Sequence, residues 1–347
     1  MPVKVTSRQV AERAGVSQSA VSRVFTPGAS VSQKTAEKVR RAAKELGYRP
    51  NVLARAMASG RSRIIGLVVA YLENYFYPEA LERLSRALQE NGYHVLVFMA
   101  SQTAGNIEDV LGEILDFQVD GIVMASVAMS SDIASRCQAA GVPVVLFNRK
   151  QDDDGITSVT SDNYSGGRSV AEFLLAGGHE RIAYIAGWEG ASTQRDREAG
   201  FNDGIREAGR EVVARAVGDF RSDSASAAAR RLFGTDPELR PDAVFVANDH
   251  MAFAVMDVIR FEMGLSIPRD VSVVGFDDVP PAAWPAYDLT TVRQCAARMV
   301  GETISALLEL VRSPDTATPR QITIEAPLIV RGSARLPDGV SRKGASA

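Results

Sequence analysis

Hydrophobic positions follow two regimes along the chain. Up to residue 48 they recur at helical spacing: Val10, Ala11 and Ala14 before Gly15, then Ala20, Val21 and Val24 within Gln18–Phe25, then Ala36, Val39, Ala43 and Leu46 before Gly47. Thr6 and Gln9 have capping-box spacing, and Ser17 and Ser32 stand at N-cap positions. The pattern predicts two short helices around a glycine turn, braced by a third: a helix-turn-helix. From Ile64 the regime changes to short apolar runs separated by amphipathic stretches. Strands are predicted at Ile64–Val69, Tyr93–Met99, Gly121–Met124, Val142–Phe147, Arg181–Ala186, Ala243–Ala247 and Val271–Gly275. Helices are predicted between them at Pro78–Glu90, Asn106–Phe117, Asp132–Ala140, Ser165–Ala176, Thr193–Ala208, Ser224–Phe233 and Met251–Met263. This β-α-β alternation implies mostly parallel sheets covered on both faces. One such series closes near Ile156–Val159 and a second then begins, so the body reads as two similar doubly wound lobes.

Between the two regimes lies Arg49–Arg61. It opens with Pro50, continues with helix formers from Leu53 to Ala58 and stops at Gly60, the order of a short helix. A helix of this length is not stable alone in water. It is expected to form only when something supports it.

Charge separates the same regions. The chain of 347 residues carries a net charge of -3, yet residues 1–63 hold 13 Lys/Arg against 3 Asp/Glu, a surplus of +10 that leaves -13 on the rest. A compact basic segment on an acidic body points to a polyanionic partner at one end only. The apolar runs are too short to span a membrane, the N-terminus lacks an apolar secretory core, and Cys137 and Cys295 suggest no disulfide framework. A cytoplasmic location is expected. Three scattered histidines and two separated cysteines give no metal set and no nucleophile–base spacing, and neither Gly-x-Gly-x-x-Gly nor a Walker loop occurs. The expectation is therefore no cofactor, no metal and no catalysis.

The second helix carries the first candidate chemistry. Gln18, Ser19, Ser22 and Arg23 project from its polar face. In the DNA major groove Gln pairs with adenine, Arg with guanine, and Ser with either. Lys4, Arg8, Lys34, Lys38, Arg40 and Arg41 are available for phosphates. A charged face on a protein–protein module would share some of these features, but not the turn, the helix pattern and the charge step together.

In the body, doubly wound sheets bind ligands beyond the carboxyl ends of their strands. The residues just there are Tyr75-Phe76-Tyr77, Ser126, Asn148-Arg149, Trp188, Asn248-Asp249 and Asp277-Asp278, with Arg195 and Arg197 opening a helix. Asp277, Arg197 and Asn248 suit the paired hydroxyls of a polyol, and an aromatic face such as Phe76, Tyr77 or Trp284 suits its C–H side. Arg197 has a competing reading as a surface ion pair with Asp196 or Glu198, and Trp284 one as an interface residue. Asp278 reads as structural.

Several stretches resemble LacI/GalR-type bacterial transcription regulators. They are Val10-Ala-Glu-Arg-Ala-Gly-Val-Ser17, Ala20-Val-Ser-Arg-Val24, Leu46-Gly-Tyr-Arg-Pro-Asn51 with Ala54-Arg55, Gly177-Gly-His-Glu-Arg-Ile182, Ser192–Phe201, Ala247–Ala252, Pro268–Asp278 and Leu289–Arg293. The resemblance covers roughly residues 5 to 335. It implies an N-terminal all-α helix-turn-helix domain followed by an α/β effector domain, like a periplasmic binding protein, of two doubly wound parallel-sheet lobes. The boundaries it implies are 1–48 for DNA binding, 49–61 for a hinge, 62–160 with 291–324 for one lobe, 161–290 with 325–337 for the other, and a disordered tail at 338–347. It implies DNA contacts by Thr6, Arg8, Ser17, Gln18, Ser19, Ser22, Arg23, Asn51, Ala54, Arg55 and Met57. Met57 stands where the family usually wedges Leu into the minor groove. Effector contacts are implied for Phe76, Tyr77, Ser126, Asn148, Arg197, Asn248, Asp277 and Trp284. Asn148 stands where many relatives have Asp. The function implied is regulation of transcription, as a repressor, by a homodimer on palindromic operator DNA, controlled by a sugar-like effector. A solute-binding protein would share the body but not the reading helix.

Overall fold

The computed structural model describes residues 5–26, 29–49, 62–100, 107–126, 136–137, 139–151, 155–314 and 316–339. The chain forms two compact units, residues 1–63 and residues 64–347. The hinge at 50–61, most of the helix expected at Asp132–Ala140 and the tail beyond 339 lie outside the described residues.

In the first unit, helices α1 (Ser7–Ala14), α2 (Gln18–Val24) and α3 (Gln33–Leu46) close on a core of Val10, Ala11, Val21, Val39, Ala42 and Ala43. Each helix starts at the predicted cap. Thr6 and Gln9 form the reciprocal box, Ser17 accepts from the Ala20 N–H and Ser32 from the Thr35 N–H. Gly15 and Gly47 end α1 and α3 at φ of 67° and 69°, left-handed backbone that glycine adopts without steric cost. So small a core leaves these caps a large share of the stability, each about 1 kcal/mol.

The second unit runs β1 (Ile64–Val69), α4 (Phe76–Glu90), β2 (His94–Met99), α5 (Ile107–Asp116), β3 (Gly121–Ala125), β4 (Val144–Phe147) and β5 (Thr157–Ser161). It continues with α6 (Asn163–Ala176), β6 (Ile182–Ala186), α7 (Ser192–Glu207), β7 (Ala214–Val217), α8 (Ser222–Phe233), β8 (Ala243–Val246) and α9 (Asp249–Asp257). The last elements are β9 (Ser272–Asp277), β10 (Thr290–Arg293), α10 (Ala296–Arg312), β11 (Gln321–Ile324) and β12 (Leu328–Ile329).

Two six-stranded sheets result, ordered β11-β5-β4-β3-β1-β2 and β12-β10-β9-β8-β6-β7. Every pairing is parallel except β10 with β12. The chain passes between the sheets after β5, after β10 and after β11. The second passage falls at Gln294, because β10 continues to Arg293 beside β9, where 290 was expected. The strands β7, β10, β11 and β12 are not among those predicted, and β7 and β11 show why. Both are edge strands with mixed burial and polar residues (Arg215, Gln321), so neither shows the apolar run of a central strand. The helix expected to Met263 leaves α-geometry at Asp257 and finishes in a π-turn at Val258–Glu262. Among the described residues no helix is long and apolar enough to cross a membrane.

One packing detail sets the site. Helices α6 and α7 cross at Gly167 and Gly200, where an added Cβ would lie 2.1 Å from the Arg197 carbonyl oxygen and 1.9 Å from that of Tyr164. Only glycine allows this approach, which holds the α7 backbone, and Arg197 on it, against α6.

Candidate nucleic-acid interface and ligand cleft

On the first unit, Arg8, Gln18, Ser19, Ser22 and Arg23 are all exposed. The expected reading face of α2 is therefore presented to solvent, while Val21 from the same helix is buried. Gln18 Nε2 donates to Ser7 Oγ at 2.9 Å, which ties the start of α2 to α1. Thr6 and Ser17 engage their hydroxyls in the caps. Arg8 pairs with Glu12 at 3.0 Å, an exposed pair that water and salt screen heavily. Asn51, Ala54, Arg55 and Met57 lie outside the described residues.

In the body, backbone strain marks the strand ends. Among the described residues, six of the nine non-glycine positions with positive φ are Ser126, Asn148, Asp219, Phe220, Asp277 and Asp278, following or ending β3, β4, β7 and β9. Such conformations cost about 1–3 kcal/mol each, less for Asn and Asp, and persist where the surroundings over-determine them.

The side chains at these ends meet in two groups. In the first, Ser126 Oγ and Tyr77 Oη share a hydrogen bond, and Asn148 Nδ2 donates to Tyr77 Oη at 2.9 Å. In the second, Asp277 accepts from Asn74 at 2.9 Å, Gln294 at 2.7 Å and Arg197 at 3.5 Å. Arg197 also donates to Asn163 Oδ1 at 2.8 Å and to the Ala247 carbonyl at 2.6 Å, with its guanidinium 3.6 Å from the Phe276 ring centroid. It does not pair with Asp196 or Glu198, which take Lys150 and Arg215 instead. Asp278 is held by Arg293 and Arg331 at 2.5 and 2.6 Å, as its structural reading requires. Asn248 caps α9 through Oδ1 on the Met251 N–H.

Between the lobes, Asn74 from the loop after β1 reaches Asp277 at the end of β9, and Lys150 after β4 pairs with Asp196 on α7 at 2.8 Å. Arg149 lies over the Trp188 ring at 5.2 Å. A cavity of about 320 Å³ opens beside Asp277 and Gln294, lined also by Phe76, Glu79, Arg83 and Arg293. Of the strand-end residues Phe76, Asp277 and Asp278 line it, whereas Asn148, Arg149, Arg197 and Asn248 do not.

Three buried polar atoms at these strand ends have no hydrogen-bond partner: Asn148 Oδ1, Arg149 Nη1 and Asn248 Nδ2. A buried unsatisfied donor or acceptor costs about 1–3 kcal/mol, so such atoms call for an explanation.

Burial pushes the Asp249 carboxyl up to about 8, helped by the charge of Asp277, while Thr291 and the Val279 N–H pull the other way. Asp277 is also raised by burial, against Arg197 and its amide donors. Among the described residues Asp277 accepts from three N–H donors, one of them cationic, and Asp249 from the Val279 N–H and the Thr291 hydroxyl, so burial raises both carboxyls against these donors.

Two aromatic candidates differ in burial. Phe76 is buried, stacked 6.0 Å from Phe147 and edge-on to Tyr77, so it is chiefly a core ring with one flank on the cavity. Trp284 is half-exposed after the short turn Pro280–Ala283, and no hydrogen bond or ring contact of the buried cluster involves it. That exposure agrees with its alternative reading as an interface residue. Sequence reasoning did not assign Asn74 or Gln294 to the site. Asn74 immediately precedes the Tyr75–Tyr77 stretch in the connection after β1, where the aromatic residues drew the assignment, and Gln294 follows β10, which was not among the predicted strands. Arg149 and Trp188 were noted only for their positions.

The profile of bacterial regulatory proteins of the lacI family matches residues 6–51, and that of the periplasmic binding protein-like domain matches residues 171–334. The HTH-type transcriptional regulator CelR of Thermobifida fusca is 34% identical over 338 residues, covering 94% of this chain and 98% of its own length. The chain belongs to the LacI family. It is a DNA-binding transcription regulator with a helix-turn-helix unit and a periplasmic-binding-protein-like body. The ribose operon repressor of Escherichia coli is 29% identical over 95% of the chain and 99% of its own length. Among solved structures, a lac repressor dimer bound to operator and the anti-inducer ONPF matches with TM-score 0.84 and 28% identity, covering 95% of this chain and 99% of that one. A CelR–cellobiose complex matches with TM-score 0.72 and 32% identity, over 95% and 100%.

Proposed function

We propose that this LacI-family regulator is a cytoplasmic, non-enzymatic repressor that binds palindromic operator DNA as a homodimer and releases or grips it according to a small polyhydroxylated effector. The observation that carries the effector half is the set of buried unpartnered atoms at the strand ends, on Asn148, Arg149 and Asn248. They offer one acceptor and two donors beside the Asp277–Arg197 pair, the mixed hydrogen-bonding a polyol requires. In this reading Tyr77, Ser126, Asn148, Arg197, Asn248 and Asp277 form the polar wall of the site, with Phe76 on its apolar flank. The DNA half rests on the exposed face of α2, with Gln18, Ser19, Ser22 and Arg23 as the readers and the basic surface around them on phosphates. The segment 49–61, including Asn51, Ala54, Arg55 and Met57, serves as the hinge between the domain of residues 1–48 and the lobes of residues 62–160 with 291–324 and 161–290 with 325–337. Effector binding between lobes changes their relative angle, and two paired bodies pass that change to two hinges.

The test is selection of duplexes from a random pool by the full chain, followed by titration of the enriched duplex with sugars and sugar derivatives. The expected outcome is a palindromic consensus whose binding changes with one effector class and survives, without that response, in Asn248→Ala. Failure to enrich any sequence at physiological salt would refute the reading.

A further inference from the structure

The polar cluster is unevenly satisfied, and the unevenness names a charge. Asp277 and Arg197 are a closed pair. The two Asp277 oxygens accept from Asn74, Gln294 and Arg197, while Arg197 donates to Asn163 and Ala247 as well. Neither needs a further ion. Asp278 is matched by Arg293 and Arg331, and Asp196 by Lys150.

Arg149 is different. It is 5% exposed, it lies over Trp188, and its Nη1 has no hydrogen-bond partner. Among the described residues no carboxylate is within ion-pair distance of it. Tyr77, Tyr71 and Arg197 lie close enough to act on its guanidinium, and Arg197 repels it. Burial and Arg197 both push against its charged form, yet a guanidinium does not give up its proton in proteins. Among the described residues, Asp277, Asp278 and Asp196 each have a cationic partner, whereas Arg149 has no carboxylate partner. A buried cation without a counter-charge is stabilised by an anion that brings its own oxygens to the fork.

We infer that the effector is an acidic polyol, whose carboxylate or phosphate is taken by Arg149 while Asn148 and Asn248 hold its hydroxyls. The inference rests on the proposed effector site and specifies what that site selects. Arg149 is bounded on one face by the Trp188 ring, and a planar carboxylate fits the fork in the guanidinium plane. A sugar acid and a sugar phosphate share this chemistry, and the test separates them.

The measurement is thermal unfolding of the full chain at matched ionic strength with D-glucuronate, D-galacturonate, D-gluconate, glucose 6-phosphate, inorganic phosphate, glucose and galactose. An acidic sugar should raise Tm more than its neutral parent at equal concentration. The uronates against glucose 6-phosphate then decide which anion is used, and phosphate alone should give less than the sugar phosphate. Arg149→Met should weaken the acidic ligand by about 10- to 100-fold, and by more than it weakens the neutral parent sugar. Without ligand, Arg149→Met should unfold at the same Tm as the parent chain or higher, since it removes an unpaired buried charge. Neutral sugars binding as well as their acids would overturn the inference and leave the polyol site standing. No shift with any sugar would count against the polyol site itself, and a lower ligand-free Tm in Arg149→Met would show a structural arginine and overturn the inference directly.

Discussion

The reading face of α2 and the wall of the cleft are both polar and both built for recognition, yet they are made in opposite ways. Gln18, Ser19, Ser22 and Arg23 are exposed, and caps and an apolar core hold the helix beneath them. Asn148, Arg149, Arg197, Asn248 and Asp277 are buried; Arg197 and Asp277 hold each other, Asn148 is held by Tyr77, Asn248 by its helix cap, and Asn148 and Asp277 sit on strained backbone. The first surface meets a long, hydrated polyanion, so its side chains stay in water until DNA replaces that water. The second encloses a small molecule, so its groups are desolvated in advance and each donor needs a matching acceptor. Substitutions should therefore affect binding but not stability on the first surface, and both in the second.

The largest effect is expected from Asp277→Ala. It leaves Arg197 buried without its carboxylate and should lower the body's stability by about 3–5 kcal/mol. Both tryptophans, Trp188 and Trp284, are in the body, so their fluorescence during urea unfolding reports this unit alone. A loss below about 1 kcal/mol would mean that the pair contributes little.

A pH dependence follows from Asp249. Its folded pKa, about 8, exceeds the ordinary carboxylate value, so between about pH 4 and 8 the folded state binds more protons than the unfolded. The stability this group contributes is fully present below about pH 4 and is lost as pH rises through 8, at no more than about 1.4 kcal/mol per pH unit. In the Asp249→Asn variant the side-chain oxygen can accept the Val279 N–H and the new amide can donate to Thr291, so the slope over that window should flatten. An unchanged slope would place the proton elsewhere.

On the other surface, Arg23→Ala should cost about 1–3 kcal/mol of operator binding and relax one operator position. The stability of the unit should move by less than about 0.5 kcal/mol, because the residue is exposed. Fluorescence anisotropy with operator and shuffled duplex separates the cases: equal losses on both would make Arg23 a phosphate contact. The smallest effect is expected from Thr6→Ala, about 1 kcal/mol from the loss of the α1 cap. Hydrogen exchange in α1 should rise while the tryptophan transition stays in place. A shift of both would break the separation drawn between the two units.

The elements were legible where one physical signal dominates. Caps at Thr6, Ser17 and Ser32, the apolar faces of α1 to α3, and the buried runs of β1, β3, β4, β6, β8 and β9 are all visible in order along the chain. The edge strands β7 and β11 were not, because polar residues such as Arg215 and Gln321 interrupt their apolar positions. In the cleft, the positions after strands directed attention to Ser126, Asn148, Asn248 and Asp277, because parallel sheets place ligands there.

By itself the sequence determined the division into a basic helical unit and an acidic α/β body, the presentation of the α2 face and the set of residues at the strand ends. Those features follow from periodicity, capping and charge, which are local or additive. Only the tertiary structure decided which polar groups satisfy one another. That Arg197 is closed against Asp277, and that Arg149 has no carboxylate partner among the described residues, depends on contacts between residues as far apart as Asn74 and Asp277, and on burial, which turns an unpaired charge from a hydrated surface group into a demand for a ligand.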